Sequence, residues 1–369
     1  ERHFIPVKRR VSPRAPLALG LWIPQHTTAR HPIADALAAF PNTPAVSAKG
    51  QAIDALAGRL TEIGLEAVTF NAFPQHDFHR PVVKHAVYEP DWADEQRFIH
   101  TLAVAGHLSR LQPTRGGSIS TLPVGWPTGN DRDRIEKAGD MLRRFADVLH
   151  KNEQQTGTRI TLDLEPEPGC ILDTADDVVA FFDEHLPEEI HRTHIGICHD
   201  VCHAAVMFED QRETLRRYAD AGVRVHKVQI SSALDVDVKR VGGGVAIEHL
   251  RPFAEPRYLH QTGFKTGDAF ELVEDLPEAI DRLERGETPD RLRVHFHVPV
   301  SLDTIGPLGT TNNQIAAAVT AAREFHGTQH FEVETYAWGV LPDELKRDTL
   351  ADGIADELRW VLETNAPNS

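Results

Sequence analysis

Short apolar runs of five to seven residues alternate with longer stretches of helical periodicity along almost the whole chain, and this rhythm constrains the fold more than any other feature. Such alternation predicts parallel strands joined by crossover helices, because consecutive parallel strands need a long return connection. The expected strands are residues 17–23, 67–71, 117–122, 159–165, 194–199, 224–230, 293–298 and 330–334. Eight strands of this kind predict an α/β fold, a (β/α)8 TIM barrel. Helices are expected between them, at 48–63, 134–150, 176–184, 211–221, 311–325 and 342–364. In 134–150, Ile135, Met141, Leu142, Phe145 and Leu149 recur near helical spacing among charges, the surface of an outer-ring helix.

The chain's 369 residues lie within the range of one barrel with loop insertions. No repeat, low-complexity tract or linker divides it, so one domain, 1–369, is expected. An irregular insertion is expected around 235–292, marked by Gly242-Gly243-Gly244, Pro252 and Pro256. Placed after a strand's carboxyl end, it would lie over the active face. The opening residues, with Phe4, Ile5 and the basic Lys8-Arg9-Arg10, read as the end of a helix.

Composition excludes several roles. Hydrophobic residues at 41% and charged residues at 25% are ordinary for a folded globular protein. A net charge of −16 opposes non-specific nucleic-acid binding, which rests on phosphate attraction. No apolar run approaches the ~20 residues of a membrane span, and no secretion signal opens the sequence, so cytoplasmic residence is expected. Cys170, Cys198 and Cys202 are too few and clustered for a disulfide framework.

In a barrel, catalytic groups sit at the carboxyl ends of several strands. Asp163 and Glu165 share one face of 159–165, with Glu165 at the top. Asp200 shares the inward phase with Gly196 and Cys198, and His203 follows it. Gln229 ends the next strand facing inward, with Lys227 one layer below. Glu332 and Glu334 are in phase on the last strand. Any one acid alone is more simply a helix cap or surface ion pair. Together, Glu165, Asp200, Gln229 and Glu334 form an oxygen-rich set suited to a divalent cation such as Mg²⁺ or Mn²⁺, with Zn²⁺ or Co²⁺ as further options. The run CHDVCH also holds zinc-like spacings, but strand geometry sends His199 and Asp200 to opposite faces, which disfavours a zinc knot. Asn71 and His76 in the loop 71–79, together with Trp126, Lys227, His260 and His297, are candidate substrate contacts; His295 shares the phase of His297.

These motifs resemble the xylose-isomerase-like barrels, which include sugar isomerases, ketose epimerases, hydroxypyruvate isomerase and endonuclease IV. The resemblance implies that Glu165, Asp200 with its D-x-x-H partner His203, Gln229 and a final-strand Glu correspond to metal ligands in order. Gln229 is closest to the hydroxypyruvate isomerase version, where many epimerases have His. More narrowly, FNAFPQHDFH, SISTLPVGW, LDLEPEPGC, CHDVCHAAVMFED, KVQISSAL, YLHQTG, HFHVPV and EVETYAW resemble the EboE family, named for metabolite traffic. That family usually begins with a strand and loop like TYCTN and HPG. Their absence implies a first strand missing from this chain, so that one expected strand is an extra element, with His295 to Val298 the foremost candidate. The expected function is a metal-dependent isomerase or epimerase of a small sugar, polyol or hydroxycarbonyl metabolite, with Glu165, Glu334 and His203 moving protons. The alternatives are a non-catalytic metabolite-binding or traffic protein and, more weakly, an endonuclease-IV-like phosphodiesterase.

Overall fold

The computed structural model describes residues 2–22, 48–76, 78–112, 114–334 and 336–365. In chain order the strands begin with β1 (Leu17–Trp22), β2 (Leu65–Asn71), β3 (Gly117–Thr121), β4 (Ile160–Leu164), β5 (Ile195–Asp200) and β6 (Val225–Ile230). There follow β7 (Leu234–Asp237), β8 (Thr262–Thr266), β9 (Ala269–Val273), β10 (Arg291–Val294), β11 (Thr304–Ile305), β12 (Leu308–Thr310) and β13 (His330–Val333). Residue 23, the last of the first expected strand, lies outside the described residues.

Strands β1 to β6 and then β13 pair in parallel as one seven-stranded sheet, nearly closed into a barrel. Seven of the eight expected strands therefore form the barrel sheet. Strands β3, β4 and β5 are buried at every position, as parallel strands covered on both faces must be. Their outward residues Ile119, Leu162 and Ile197 pack against Phe98, Leu142, Phe145 and Phe182 of the helical ring. Each such side chain stabilises the fold by roughly 1.5–3 kcal/mol.

The expected strand 293–298 is corrected. β10 lies in a second, antiparallel sheet, ordered β11-β12-β7-β10-β8-β9, and His295 to Val298 follow it as irregular chain. The segment expected to be irregular, 235–292, is largely regular, since it supplies four strands of that sheet and the helix Leu276–Glu284. Leu234, Val236, Leu292 and Val294 bury against Phe264, Ile280 and Leu283 as a core of their own. An apolar alternation reads the same in either sheet, and only the pairing partners distinguish them.

Inside the barrel, Glu332 accepts a hydrogen bond from the Thr69 hydroxyl at 2.6 Å and pairs with the fully buried Lys227 at 2.8 Å. Gly20 on β1 lies directly opposite that carboxylate, in space a side chain would occupy. At the mouth, the chain after β10 is pinned from two sides. Val298 N–H donates to Ser232 O at 3.0 Å, and Val300 N–H donates to Glu357 Oε1 at 3.1 Å. Glu357, on the helix Leu350–Thr364, also accepts from Trp338 Nε1 at 2.8 Å.

Gly20→Ala would force its methyl onto a carboxylate held by Thr69 and Lys227, so a loss of about 1–3 kcal/mol in urea unfolding is expected. Burial pushes the Glu357 carboxyl up to about 7, so the fold favours its neutral form. Its contribution is complete below the ordinary carboxylate value and declines as pH rises through about 7. Glu357→Gln, whose amide nitrogen cannot accept the bond that one of the two oxygens makes, should therefore melt several degrees below the parent at pH 5, with the margin narrowing by pH 8 as the parent loses the contribution of its neutral form.

Candidate functional site

The carboxyl ends of β2, β4 and β13, together with the chain before β8 and after β10, enclose a cavity of about 190 Å³. Its floor carries Glu165, Glu167, His203, His295, His297 and Glu334. Glu165 follows directly on β4, where Pro166 ends the strand, and its N–H still bonds Thr121 O at 2.9 Å. Asp200 ends β5 and caps the next helix: its Oδ1 accepts from His203 N–H at 2.9 Å and from the Ser231 hydroxyl at 2.7 Å.

Burial of the carboxyls governs the electrostatics. Burial, with the Asp200 charge nearby, pushes Glu165 up to about 7. Burial, then Glu165 and Asp200, raises Glu334 well above the usual carboxylate range. Burial also raises Glu167. Asp200 goes the other way: burial alone would raise it, but His203, His297 and its two hydrogen bonds hold it low. Glu165 Oε2, Asp200 Oδ2 and both ends of the Gln229 amide are buried with no hydrogen bond. Leaving such groups unmade costs roughly 1–3 kcal/mol each, and more when charged.

Three imidazoles converge on the same point. His297 stands between two acids, with Nε2 3.8 Å from Asp200 Oδ2 and Nδ1 3.3 Å from Glu334 Oε2. His203 Nδ1–H donates to Pro166 O at 2.8 Å, since a carbonyl can only accept. The Gln261 amide nitrogen donates to Pro168 O at 3.0 Å, so its oxygen faces His295 Nδ1 at 2.7 Å and that nitrogen carries the hydrogen. Both Nε2 atoms, 3.1 Å apart, are then left with lone pairs toward each other. A proton or a cation between them removes the repulsion. Burial alone would lower His203, but Asp200, Glu167 and Glu165 raise it above the usual imidazole range, so it carries that proton readily. Burial pushes His297 down to about 4 and His295 well below the usual range. The donor atoms of Asp200, His203 and His297 lie within 4.8 Å of one another, as do those of Glu167, His203 and His295.

Of the expected metal ligands, Glu165 and Glu334 line the cavity, and Asp200 reaches it through His297. Gln229 lies fully buried at the end of β6, paired in register with Asp200 on one side and Glu332 on the other. Of the expected substrate contacts, Asn71 and His297 line the cavity. The other four do not. His76 is exposed on its loop, and Trp126 stacks behind Tyr88 at 4.9 Å. Lys227 is consumed by Glu332 and Ser120 beneath the floor, while His260 braces the loop by bonding His295 O at 2.9 Å and Glu255 at 3.0 Å. His199 points away from Asp200 and bonds Gln211 Oε1 at 2.7 Å, so CHDVCH is no knot. Its cysteines are free. Glu167 was not among the expected site residues, although alternation through 163, 165 and 167 places it on the same face.

The barrel defines a class, and the family comparison falls on it. The chain belongs to the Xylose isomerase-like TIM barrel family, whose profile matches residues 34–266, more than half its length. A xylose isomerase-like TIM barrel protein from Mycobacterium smegmatis, solved with magnesium, is 14% identical, covering 87% of this chain and 79% of that one, with a TM-score of 0.47. A xylose isomerase domain protein from Planctomyces limnophilus is 13% identical over 94% and 96%, with a TM-score of 0.46. A 3-keto-D-glucoside 4-epimerase from E. coli is 15% identical over 84% of each chain, with a TM-score of 0.40. These are similarities of fold. No curated protein matches the sequence. Among the described residues, no helix is long and apolar enough to cross a membrane.

The unpartnered Gln229 amide makes a direct prediction. In chelator-treated protein, Gln229→Met keeps the volume and removes the unsatisfied dipoles, so urea unfolding should show a gain of about 1 kcal/mol. A loss instead would mean that the amide is satisfied without a cation.

Proposed function

We propose that this chain is a divalent-metal-dependent isomerase or epimerase acting on a small sugar, polyol or related hydroxycarbonyl metabolite. The observation that carries the reading is the set of buried oxygens without partners, Glu165 Oε2, Asp200 Oδ2 and Gln229 Oε1, gathered with Glu334 beside a cavity. Such a donor set suits a hard divalent cation, and Glu165, Asp200, Gln229 and Glu334 would hold it. His297, between Asp200 and Glu334, supplies an imidazole that favours Mn²⁺, Co²⁺ or Zn²⁺ over Mg²⁺. The cation would supply Lewis-acid polarisation of a substrate carbonyl.

The protein's own groups account for the rest. Glu165, a carboxylate facing the cavity, takes the proton from the carbon beside the substrate carbonyl. Glu334 then returns one at the neighbouring carbon for isomerisation or on the opposite face for epimerisation. His203, tied by Nδ1–H to Pro166 O and facing His295 through Nε2, lines the same cavity and fixes the imidazole pair beside the substrate. The resemblance to the EboE family, named for metabolite traffic, supports a small metabolite as the substrate. The charge of −16 weighs against phosphodiester chemistry on nucleic acid.

Elemental analysis of protein purified without a metal-binding tag should find about one divalent ion per chain or more. Incubation with hydroxycarbonyl substrates in D2O should exchange carbon-bound hydrogen, and Glu165→Gln should slow that exchange by about 100-fold or more. Exchange that survives Glu165→Gln unchanged, or metal-free protein of full activity, would overturn the assignment.

A further inference from the structure

The cavity has two chemically distinct halves. Its floor is the carboxylate and imidazole cluster. Its outer wall is built from Trp22, Phe78, Val87, Tyr88, Tyr258 and Leu259. Several of these residues have a polar end, and in each case the protein itself uses it. The Trp22 indole N–H donates to Pro74 O at 2.6 Å, and the Tyr258 hydroxyl donates to Phe78 O at 3.2 Å. The Tyr88 hydroxyl donates to Glu167 Oε1 at 2.9 Å. Even the Lys84 ammonium beside them is paired with Asp275. Phe78 and Tyr258 stack at 4.7 Å with their planes 28° apart, which fixes a flat apolar surface.

A free sugar carries hydroxyls at every carbon. Seated on this floor, it would press its distal hydroxyls against a wall where, among the described residues, the polar ends of Trp22, Tyr88, Tyr258 and Lys84 are already engaged and Asn71 and His79 are the other polar side chains, and each unmade hydrogen bond costs roughly 1–3 kcal/mol. A ligand that meets the wall with carbon loses nothing there and gains burial. The space allows it: the cavity measures about 190 Å³, against roughly 150 Å³ for a cavity that holds a benzene ring.

We infer that the substrate is bipartite: adjacent hydroxyl and carbonyl oxygens enter the Glu165–His203–Glu334 end, and an apolar, ring-sized body lies against Trp22, Phe78 and Tyr258. This rests on the metal-dependent isomerase reading for the oxygen-bearing end, while the wall stands on its own geometry. Trp22, Phe78 and Tyr258 are then the residues that set specificity.

The test compares two probes with the same oxygen pair, 2-hydroxyacetophenone and hydroxyacetone, by calorimetric titration of the full chain loaded with Mn²⁺. Burying the ring should make the phenyl compound bind about tenfold tighter or more. Tyr258→Ala should cut that ratio to about threefold or less, and Tyr258→Phe, which keeps the ring, should preserve it. If Tyr258→Ala does not fold, Val87→Ser, at a half-buried wall position, gives the same reading. Equal or weaker binding of the phenyl compound, a ratio indifferent to both wall variants, or no binding of either probe would overturn the inference. A ring preference that persists while Glu165→Gln leaves both affinities and the D2O exchange unchanged would instead sink the isomerase reading and keep the wall.

Discussion

Burial of Glu165, Asp200 and Glu334 beside one another organises the mouth of this barrel. It also strengthens their mutual repulsion, because charges that would barely notice each other in water interact several-fold more strongly in a poorly solvated cavity. Glu165 and Glu334 are raised by burial and by the neighbouring charges, while Asp200 is held low because His203, His297, a backbone N–H and Ser231 all face it. Different environments thus separate chemically identical groups into proton holders and a fixed anion, the division that proton-transfer chemistry requires. One layer down, Lys227 balances Glu332, so the interior charge of the barrel is neutralised beneath the floor and left unbalanced above it. The unpartnered oxygens at the mouth are the remainder of that balance.

Those groups stay in place because a further layer of hydrogen bonds holds them. His203 is oriented by Pro166 O, His295 by Gln261, and Gln261 by Pro168 O and Tyr88. His260 holds the backbone of His295, and Glu357 holds the backbone at Val300. An imidazole whose far nitrogen is tied to a carbonyl or amide oxygen presents its near nitrogen in one tautomer and one direction, as metal-binding histidines usually do. His260 and Lys227, which the sequence suggested as substrate contacts, act as supports in this layer.

The barrel was legible because parallel strands covered on both faces must be apolar throughout, and strands such as 117–122 and 159–165 are recovered to within a residue at each end. The strand-end residues were legible for a related reason. The two-residue period places Asp163, Glu165 and Glu167 on one face, and Asp200 and Gln229 are each the last inward position of a strand. What periodicity does not carry is the partner of a strand. Arg293 to Val298 alternates as a barrel strand would, yet β10 pairs antiparallel with β7 and β8, and the alternation lapses at His295. Loop residues were least legible. Nothing local distinguishes His76, which faces outward, from Asn71, which faces the cavity, because the direction of a loop side chain depends on contacts far away in sequence.

That lapse at His295 matters for chemistry. The inserted sheet ends β10 at the lip of the barrel, and the chain leaving it drops two imidazoles among acids supplied by β4, β5 and β13. The same inserted region contributes Tyr258 and Leu259 to the apolar wall, and through Gln261 it sets the tautomer of His295. A seven-stranded barrel supplies oxygens on a rigid ring of strand ends, but a parallel strand offers only one terminal inward side chain, so the ring alone gives few nitrogens and no lid. Residues added between β6 and β13 fill both deficits from one sheet. Changes in that sheet would therefore move the imidazoles and the apolar wall together, while the carboxylates stay fixed on the strand ends.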